Sequence, residues 1–483
     1  MGLDLHSGTP AAAEAGSDSP SVVGAATTFD HQSLDEETQR FVYETHLENI
    51  GLVDFLGFDL AALSVQISDG GGKAPVTKIR SRSGRNQLGE TGALITTFKS
   101  FCGMGILAMP YATVKGGYIL GPLTLLGVAW LSHHCMQLLV ELSATMRGTK
   151  VASFGAVGEC ALGHMAKAFV NNCLIFTQYG FGIAALLFIV GNVGDVVCLE
   201  TQGVACPTKE WLILVVLIVA LPLCWLRSLQ LLALPLLMAN IVLIFGISWV
   251  FYSDLLQIGT NGVERGLVAF NWSQLPIFFG CAVFAFEGIG MILPIMHSMQ
   301  QPARFPVVLR QAVGFYTILA AVFGFVGYLA FGHGAQDIIF ASLPPCRTLS
   351  FLRLFYCLGI FFSYPMCLFP VFQILESGIS CLKHADAVWQ RRAVRTGIVA
   401  STGLIGSVIP HFGLFLGLIG SVACSMLAFV LPALFHLKRP DKPADSSYWV
   451  DVKDIAVVLF GIVAGATSFV VTLHSFFAGE PTG

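Results

Sequence analysis

Apolar residues are distributed in two very different ways before and after Thr91. From Thr91 onward the chain is a series of long apolar runs, and a helix of about 20 mostly apolar residues is what crosses a bilayer core. The runs are continuous and lack the alternating period of two that a transmembrane β-barrel requires. The pattern therefore predicts an all-α polytopic membrane protein.

Eleven runs meet this criterion, so we predict eleven transmembrane helices within a transmembrane domain at 91–476. A short non-cytoplasmic tail would follow at 477–483. The predicted helices lie near Ala93–Thr113, Tyr118–Leu142, Ala168–Val197, Trp211–Leu226, Leu229–Tyr252, Asn271–Met291, Phe305–Phe331, Leu349–Gly378, Val394–Ile409, Phe412–Leu434 and Asp454–Phe476.

Residues 1–90 have a different composition. Up to about Thr28 they are rich in Ala, Ser, Gly and Pro, and they show no signal-peptide pattern. A mixed acidic and apolar stretch at 31–67 is compatible with a short amphipathic helix, and a basic cluster at 73–85 precedes the first run. We predict a largely disordered cytoplasmic tail whose basic residues fix topology, with a regulatory or sorting role as the alternative.

Charged residues are scarce, at 11% of the chain, whereas an ordinary soluble domain has roughly 25%. The net charge is −3 and 13 of the 29 acidic residues precede Thr91, which excludes a soluble enzyme, a nucleic-acid-binding protein and a disulfide-rich secreted domain. Motifs of hydrolases, metal sites and nucleotide-binding loops are missing from the sequence. We therefore expect no enzyme activity, cofactor, metal or nucleotide.

The basic residues predict the orientation. If the N-terminus is cytoplasmic, the inside segments carry 20 of the 26 Lys and Arg residues. Lys99 lies within a predicted helix, and the opposite face carries Lys115, Lys209, Arg265, Arg347 and Arg353. This distribution satisfies the positive-inside rule, so the N-terminus should be cytoplasmic and the C-terminus should lie on the other side.

Three of the 13 cysteines, Cys198, Cys206 and Cys346, fall on or near the non-cytoplasmic face. That face is oxidising in a secretory-pathway protein, so a bond from Cys206 or Cys198 to Cys346 is a candidate disulfide. Asn271 begins an Asn-Trp-Ser glycosylation sequon on the same face, very close to a predicted helix.

Two predicted helices contain matching interruptions. The first carries Gly103-Met104-Gly105 in mid-run with Pro110 after it, and the sixth carries Gly288-Ile289-Gly290 followed by Pro294. Transporters built from inverted repeats often have broken helices at corresponding positions, with the substrate bound where the breaks meet. Breaks in helices one and six of eleven predict a repeat of five plus five helices.

The breaks suggest a receptor for a zwitterion. Unwinding leaves free donors at the start of one half-helix and free acceptors at the end of the other. A carboxylate suits the positive N-terminal end near Gly105, and an ammonium group suits carbonyls near Phe284–Glu287. The alternative is that the glycines only let helices pack closely. Either motif alone favours packing, whereas the symmetric pair favours a site.

Lys99 and Glu287 are the charged residues predicted to lie well inside an apolar run. Intramembrane charges usually face a polar path or a partner, and each of these two stands beside a break. Glu287 is therefore a candidate proton carrier during transport. The alternative is that Lys99 and Glu287 hold the unwound backbone in shape.

At these residues the chain resembles the amino acid/auxin permease family over roughly Thr91 to His474. The resemblance is carried by five ordered motifs at Phe98–Pro110, Ser153–Glu159, Phe284–Pro294, Tyr364–Pro370 and Pro410–Leu414. It implies the leucine-transporter type of fold and secondary active transport of amino acids.

Within that family the chain is similar to the proton-assisted and vacuolar branch, since sodium-coupled members tend to carry Asn where Lys99 stands. The branch has a His three residues before that Lys, whereas this chain has Thr96, which gives more weight to Glu287 in coupling. A disulfide seen in the branch implies the pair Cys206–Cys346. The resemblance implies substrate contacts from Gly103, Met104, Gly105, Phe284, Phe286, Glu287 and Tyr179.

Together these observations predict a proton-coupled symporter of neutral amino acids in a vacuolar, lysosomal or plasma membrane. Its partners would be the amino acid, protons and membrane lipid. The competing hypothesis is an amino acid sensor that signals through the N-terminal tail.

Overall fold

The computed structural model describes residues 88–145, 153–226, 233–379, 388–439 and 448–478. The chain divides into two units, Met1–Gly51 and Leu52–Gly483, and every described residue belongs to the second unit. The predictions for the N-terminal tail up to residue 87, including its amphipathic stretch and basic cluster, lie outside the described residues.

The described part of the chain consists of helices and short connections. In chain order they are α1 Glu90–Phe101, α2 Met104–Leu107, α3 Met109–Gly116, α4 Leu120–Thr145, α5 Phe154–Leu162, α6 His164–Glu200, α7 Lys209–Cys224, α8 Ala233–Asn261, α9 Leu275–Ala285, α10 Ile289–Ser298, α11 Phe305–Phe331, α12 Arg347–Gly378, α13 Val388–Val408, α14 Phe412–Ile419, α15 Leu431–Leu437 and α16 Tyr448–Ala478. Two π-helical turns, Gly420–Cys424 and Met426–Val430, join α14 to α15.

Helices lie in all eleven predicted runs, and eight segments of the described chain are long and apolar enough to cross a membrane. The other three fall short for physical reasons. The first run is divided into α1, α2 and α3, α7 has only 16 residues, and α13 begins with a polar segment that contains Arg391, Arg392 and Arg395. The protein is therefore an integral membrane protein with several passes.

The two broken helices are joined to each other at both of their outer ends. Backbone hydrogen bonds connect Leu88 N–H to Ser298 O (2.9 Å) and Gln300 N–H to Leu88 O (3.0 Å), so the start of α1 is tied to the end of α10. At the opposite end Tyr118 N–H donates to Val268 O at 3.0 Å, and Asn271 N–H donates to Gly116 O at 3.3 Å. The broken helices therefore form one antiparallel pair.

Gly117 makes the second of these junctions possible. Its φ is +84°, a conformation that favours glycine. A Cβ atom there would lie 2.6 Å from Ala269 O, so the backbone of the junction can approach only a residue without a side chain.

The π-helical segment after α14 packs directly against α9. A Cβ atom on Gly420 would overlap the Gly280 O atom and lie 3.0 Å from Phe284 N, and one on Gly280 would overlap Gly417 O. Small residues permit close approach of helices in membranes. The widened π turns are common at functional sites, and here they lie beside the second broken helix.

Buried charges hold helices together away from the breaks. Arg395 on α13 pairs with both oxygens of Glu376 on α12 at 2.6 Å and 3.1 Å, and it donates to Cys224 O and Leu226 O near the end of α7. A guanidinium group with this many acceptors is a satisfied buried charge. It fixes α7, α12 and α13 relative to each other.

Candidate functional site

The first break separates α1 from α2 at Cys102 and Gly103. Both residues have extended backbone, with φ and ψ of −75° and 97° at Cys102 and −141° and −150° at Gly103. Because α2 begins at Met104, the N–H groups of its first turn have no acceptors in the preceding helix. The break lies within the segment that the Gly103-Met104-Gly105 motif predicts.

The second break separates α9 from α10 at Phe286–Gly288. Phe286 N–H still bonds Ala282 O and Val283 O at 3.2 Å, and Glu287 N–H bonds Phe284 O at 3.1 Å, which ends α9 in a tight turn. The next helix begins after Gly288. Carbonyl groups at the end of α9 therefore point away from any following helical turn.

A glycine at each break packs against the other broken helix. A Cβ atom on Gly105 would lie 3.0 Å from Cα of Ala285 and 3.3 Å from Cδ1 of Phe284. A Cβ atom on Gly288 would lie 2.9 Å from the Phe101 ring. The start of α2 therefore lies against the end of α9, as the zwitterion hypothesis requires.

A cavity of about 210 Å³ lies at this crossing. Its lining comes from α1, α2, α9 and both breaks, and also from α6, α8 and α12. The lining residues are Ser100, Phe101, Cys102, Gly103, Met104, Gly105, Phe181, Asn240, Leu243, Phe284, Ala285, Glu287, Tyr356, Gly359, Ile360, Ser363 and Cys367. The structure thus brings together Gly103, Met104, Gly105, Phe284 and Glu287 from the predicted set.

Glu287 is the one charged residue that lines the cavity among the described residues. Its side chain is 8% exposed, and its Oε2 atom is buried without a hydrogen-bond partner in the described structure. The Cys424 thiol on the π-helical segment lies next to this carboxyl group, and Thr177 lies next to the thiol. The carboxyl group therefore retains one oxygen without a hydrogen-bond partner.

The predicted aromatic residues take different positions. Phe284 lines the cavity, and its ring packs edge-on against Phe181 with centroids 4.8 Å apart. Phe286 instead turns into the core, where its ring lies 5.2 Å from that of Tyr316. Tyr179 lies outside the cavity lining, and its hydroxyl bonds Ser401 on α13 at 2.6 Å.

Eight lining residues come from helices without a break, and none of them was predicted from the sequence; five of the eight have aromatic, polar or thiol side chains. Phe181 lies two positions after Tyr179 on α6, a rotation of about 200° that puts the two side chains on opposite faces. The others are Asn240 on α8 and Tyr356, Ser363 and Cys367 on α12. A polar Asn240 within an apolar run was the signal that could have identified one of them.

Lys99 lies in the last turn of α1 and is half-buried. It is not among the described residues that line the cavity. Its neighbour Ser100 does line the cavity and donates its hydroxyl to Thr97 O at 2.7 Å. The Lys99 ammonium group is thus adjacent to the first break rather than inside the cavity.

At one end of the broken-helix pair, the loop before α12 contacts the start of α14. Asp337 accepts a hydrogen bond from Gly413 N–H at 3.1 Å, at the start of α14. Gly413 packs on the Tyr111 ring of α3, since a Cβ there would overlap that ring. Burial raises the pKa of Asp337, while the Gly413 N–H and the charges of His411 and Lys115 oppose that shift. At this end, α14 therefore connects α3 to the loop before α12.

The predicted disulfide needs correction. The structure joins Cys206 to Cys198, eight positions earlier in the chain, whereas Cys346 is a free and exposed cysteine. The Sγ atom of Cys346 accepts a hydrogen bond from Leu349 N–H at 3.4 Å and so caps α12. The predicted bond of Cys206 to Cys346 is wrong in this structure, because both partners are engaged locally.

Peptide mapping should recover this connectivity. Digestion without reductant is expected to yield a linked peptide pair that contains Cys198 and Cys206, and Cys346→Ser should leave that pair unchanged. Cys206→Ser should remove it and add one alkylatable thiol. A linked Cys206–Cys346 peptide in the wild type would contradict the connectivity of the structure.

The side chain of Asn271 takes part in a local hydrogen-bond network. Its Nδ2 donates to Val114 O and Gln274 Oε1 at 3.4 Å, and its Oδ1 accepts from the Ser273 hydroxyl at 3.0 Å. A glycan would be attached to Nδ2. Glycosylation would therefore have to displace contacts that hold the turn before α9.

Sequence comparisons agree with this geometry. Residues 88–474 match the profile of a family described as "Transmembrane amino acid transporter protein". Amino acid transporter AVT3B of Arabidopsis thaliana is 32% identical over 413 residues, covering 80% of this chain and 95% of that protein. Vacuolar amino acid transporter 4 of Saccharomyces cerevisiae is 30% identical over 402 residues, covering 76% of this chain and 55% of that protein.

Structural comparisons support the fold. MhsT in complex with L-phenylalanine aligns with a TM-score of 0.50 at 15% identity, covering 80% of this chain and 100% of that one. Mhp1, a nucleobase-cation-symport-1 family transporter, aligns with a TM-score of 0.50 at 12% identity, covering 82% and 95%. At these identities the likeness shows the fold alone, which is that of the leucine-transporter type.

Proposed function

The chain belongs to the transmembrane amino acid transporter family, and from that premise we propose that it is a proton-coupled symporter of neutral amino acids. The observation that carries this proposal is the cavity between the two breaks, which holds one carboxyl group and the free ends of two half-helices. The protein is an amino acid transporter and not an enzyme.

The two breaks suit the two charged ends of an amino acid. N–H groups at the start of α2, around Gly103–Gly105, would bind the carboxylate, because a helix N-terminus attracts anions. Carbonyl groups at the end of α9 and the Glu287 carboxylate would bind the ammonium group. Gly105 packs directly on Ala285, which keeps these two subsites within the reach of a single α-amino acid.

The remaining lining favours a neutral side chain. Phe181, Phe284, Leu243 and Ile360 supply apolar surface, and the described lining has no second charged residue to neutralise a charged substrate. Burying an unpaired charge in such a cavity is strongly unfavourable. A neutral and largely apolar amino acid is therefore the substrate class that fits best.

Proton coupling is assigned to Glu287. An ionised carboxylate with an unpartnered buried oxygen is unfavourable in apolar surroundings. Protonation removes this cost by neutralising the carboxyl group. The protonated group can still accept a hydrogen bond from the substrate ammonium group through its carbonyl oxygen, so the proton and the substrate would occupy the cavity together, which is the condition for symport.

The membrane arrangement completes the proposal. We assign eleven transmembrane helices as an inverted repeat of five plus five with one additional C-terminal helix, and a cytoplasmic N-terminus from the distribution of Lys and Arg. Relatives named as vacuolar transporters support a vacuolar or lysosomal membrane. The alternative of a sensor that signals through the N-terminal tail rests on residues outside the described structure.

Uptake into proteoliposomes tests this function. We expect labelled neutral amino acids to accumulate when the external pH is one unit below the internal pH, with the membrane potential held at zero. One proton per cycle can support about a tenfold concentration ratio under these conditions. Replacing sodium with choline should leave uptake unchanged. Sodium dependence, or failure to accumulate any neutral amino acid, would contradict the proposal.

A further inference from the structure

Asp254 is a fully buried acid on α8 that lies outside the cavity lining. Ile247, Val250 and Asp254 form one buried stripe at helical spacing, with exposures of 7%, 0% and 0%. The apolar run predicts that this helix ends at Tyr252, which would place Asp254 in a loop. The structure continues α8 to Asn261, which places Asp254 within the helix and not in a loop.

The Asp254 carboxyl group faces the interface of α8, α11 and α3. A Cβ atom on Gly327 of α11 would lie 3.4 Å from Asp254 Oδ2 and 2.6 Å from Cγ of Pro110, near the start of α3. Both carboxyl oxygens are buried without a hydrogen-bond partner in the described structure. The acid therefore lies against the second half of the first broken helix.

Ionisable side chains on the surrounding elements are engaged elsewhere. On α11 the Tyr328 hydroxyl accepts a hydrogen bond from Val268 N–H, and on α3 the Lys115 ammonium group lies 5.1 Å from the centre of the Tyr111 ring. On α12 Arg353 pairs with Asp195 at 3.4 Å and also donates to Phe340 O. Tyr356 packs on Gly246, about 12 Å along α8 from Asp254.

This setting disfavours an ionised carboxylate. A buried charge without a partner is far more unfavourable than a buried neutral acid. Intramembrane acids of this kind commonly mark proton pathways. The position also links protonation to movement, because any displacement of α3 from α11 would open the Asp254 carboxyl group to water.

We propose that Asp254 is a second proton-binding site of the transporter, occupied while α3 packs against α8 and α11 and emptied when they separate. Asp254 would take a proton from water on one side of the membrane, hold it in its O–H bond while α3 packs against α8 and α11, and return it to water on the other side when the interface separates in the opposite conformation. This inference rests on the proposed symport function and adds a coupling residue that does not contact the amino acid.

Asp254→Asn is the direct test, because asparagine matches the shape of the protonated acid and cannot release a proton. With a one-unit pH gradient and zero membrane potential, we expect its accumulation ratio to be about tenfold below that of the wild type. Exchange of labelled for unlabelled amino acid at equal pH should stay within about twofold, since Asp254 is outside the cavity. Infrared difference spectra should lose one protonated-carboxyl band.

Controls separate the possible outcomes. Asp451→Asn, on half-exposed Asp451 in the first turn of α16, should behave as wild type. If Asp254→Asn misfolds, Asp254→Leu supplies a neutral and apolar replacement that should give the same loss. Wild-type accumulation and an unchanged infrared spectrum in both variants would overturn the proposal. A wild-type protein that ignores the pH gradient would instead refute symport itself, while the infrared band would still report on Asp254.

Discussion

Glu287→Gln is expected to lower the proton-driven accumulation of amino acid about tenfold, the share of one coupled proton, and to weaken amino acid binding about 10- to 100-fold. Glutamine keeps the shape of the side chain but removes the charge and the exchangeable proton. Hydrogen bonds to charged groups contribute about 1.5–3 kcal/mol, which corresponds to the expected loss of affinity. The measurements are the binding of labelled amino acid and its accumulation across a one-unit pH gradient.

Glu159→Gln is the matched control for this substitution. Glu159 lies on α5, its side chain is 40% exposed, and it pairs with Lys167 at 2.8 Å. Such exposed pairs contribute little, so this variant should transport normally. Full affinity together with an unchanged pH response in Glu287→Gln would remove Glu287 from both binding and coupling. If Glu287→Gln weakened amino acid binding but left the pH response unchanged, proton coupling would be assigned to Asp254 alone.

Gly420→Ala should destabilise the protein strongly and eliminate transport. The new methyl group would overlap the Gly280 O atom, so the π-helical segment would have to move away from α9. Overpacking typically costs about 1–3 kcal/mol, and we expect about 3 kcal/mol here because the obstructing atom belongs to the backbone. Thermal unfolding in detergent and amino acid uptake measure the two effects.

The control for Gly420→Ala is Gly314→Ala on α11. Nothing lies within 4 Å of a Cβ atom built on Gly314. Replacing glycine with alanine in an open helix interior is favourable by roughly 0.5–1 kcal/mol. This variant should therefore unfold at the same or a slightly higher temperature. Normal stability and uptake in Gly420→Ala would show that the close contact with α9 is dispensable.

The sequence predicted the fold class well because a bilayer demands long apolar helices and leaves few alternatives. The positions of both breaks also followed from local chemistry, since Gly103 and Gly288 weaken the helix within their own runs. The end of α8 did not follow, because Asp254 interrupts the apolar run although the helix continues. A buried acid and a loop acid have the same sequence signature.

Side-chain partners were harder to predict, because they depend on the rotation of one helix against another. From the sequence alone, Tyr179 and Phe181 are equally plausible as residues that line the cavity. The orientation of α6 about its axis places Phe181 in the lining and Tyr179 outside it. Cys346 was equally plausible as a disulfide partner, yet the structure joins Cys206 to its neighbour Cys198. Local chain geometry determined that choice, and sequence spacing alone does not reveal it.

The junction of Leu88 with Ser298 and Gln300 has a mechanical consequence. Two backbone hydrogen bonds join α1 to α10 at one end of the broken-helix pair, so these half-helices are expected to move together as one rigid body. Residues before Leu88 are attached to the end of this rigid body. A force applied at Leu88 would therefore act on α1 and α10 together, and so on the half-helices next to both breaks.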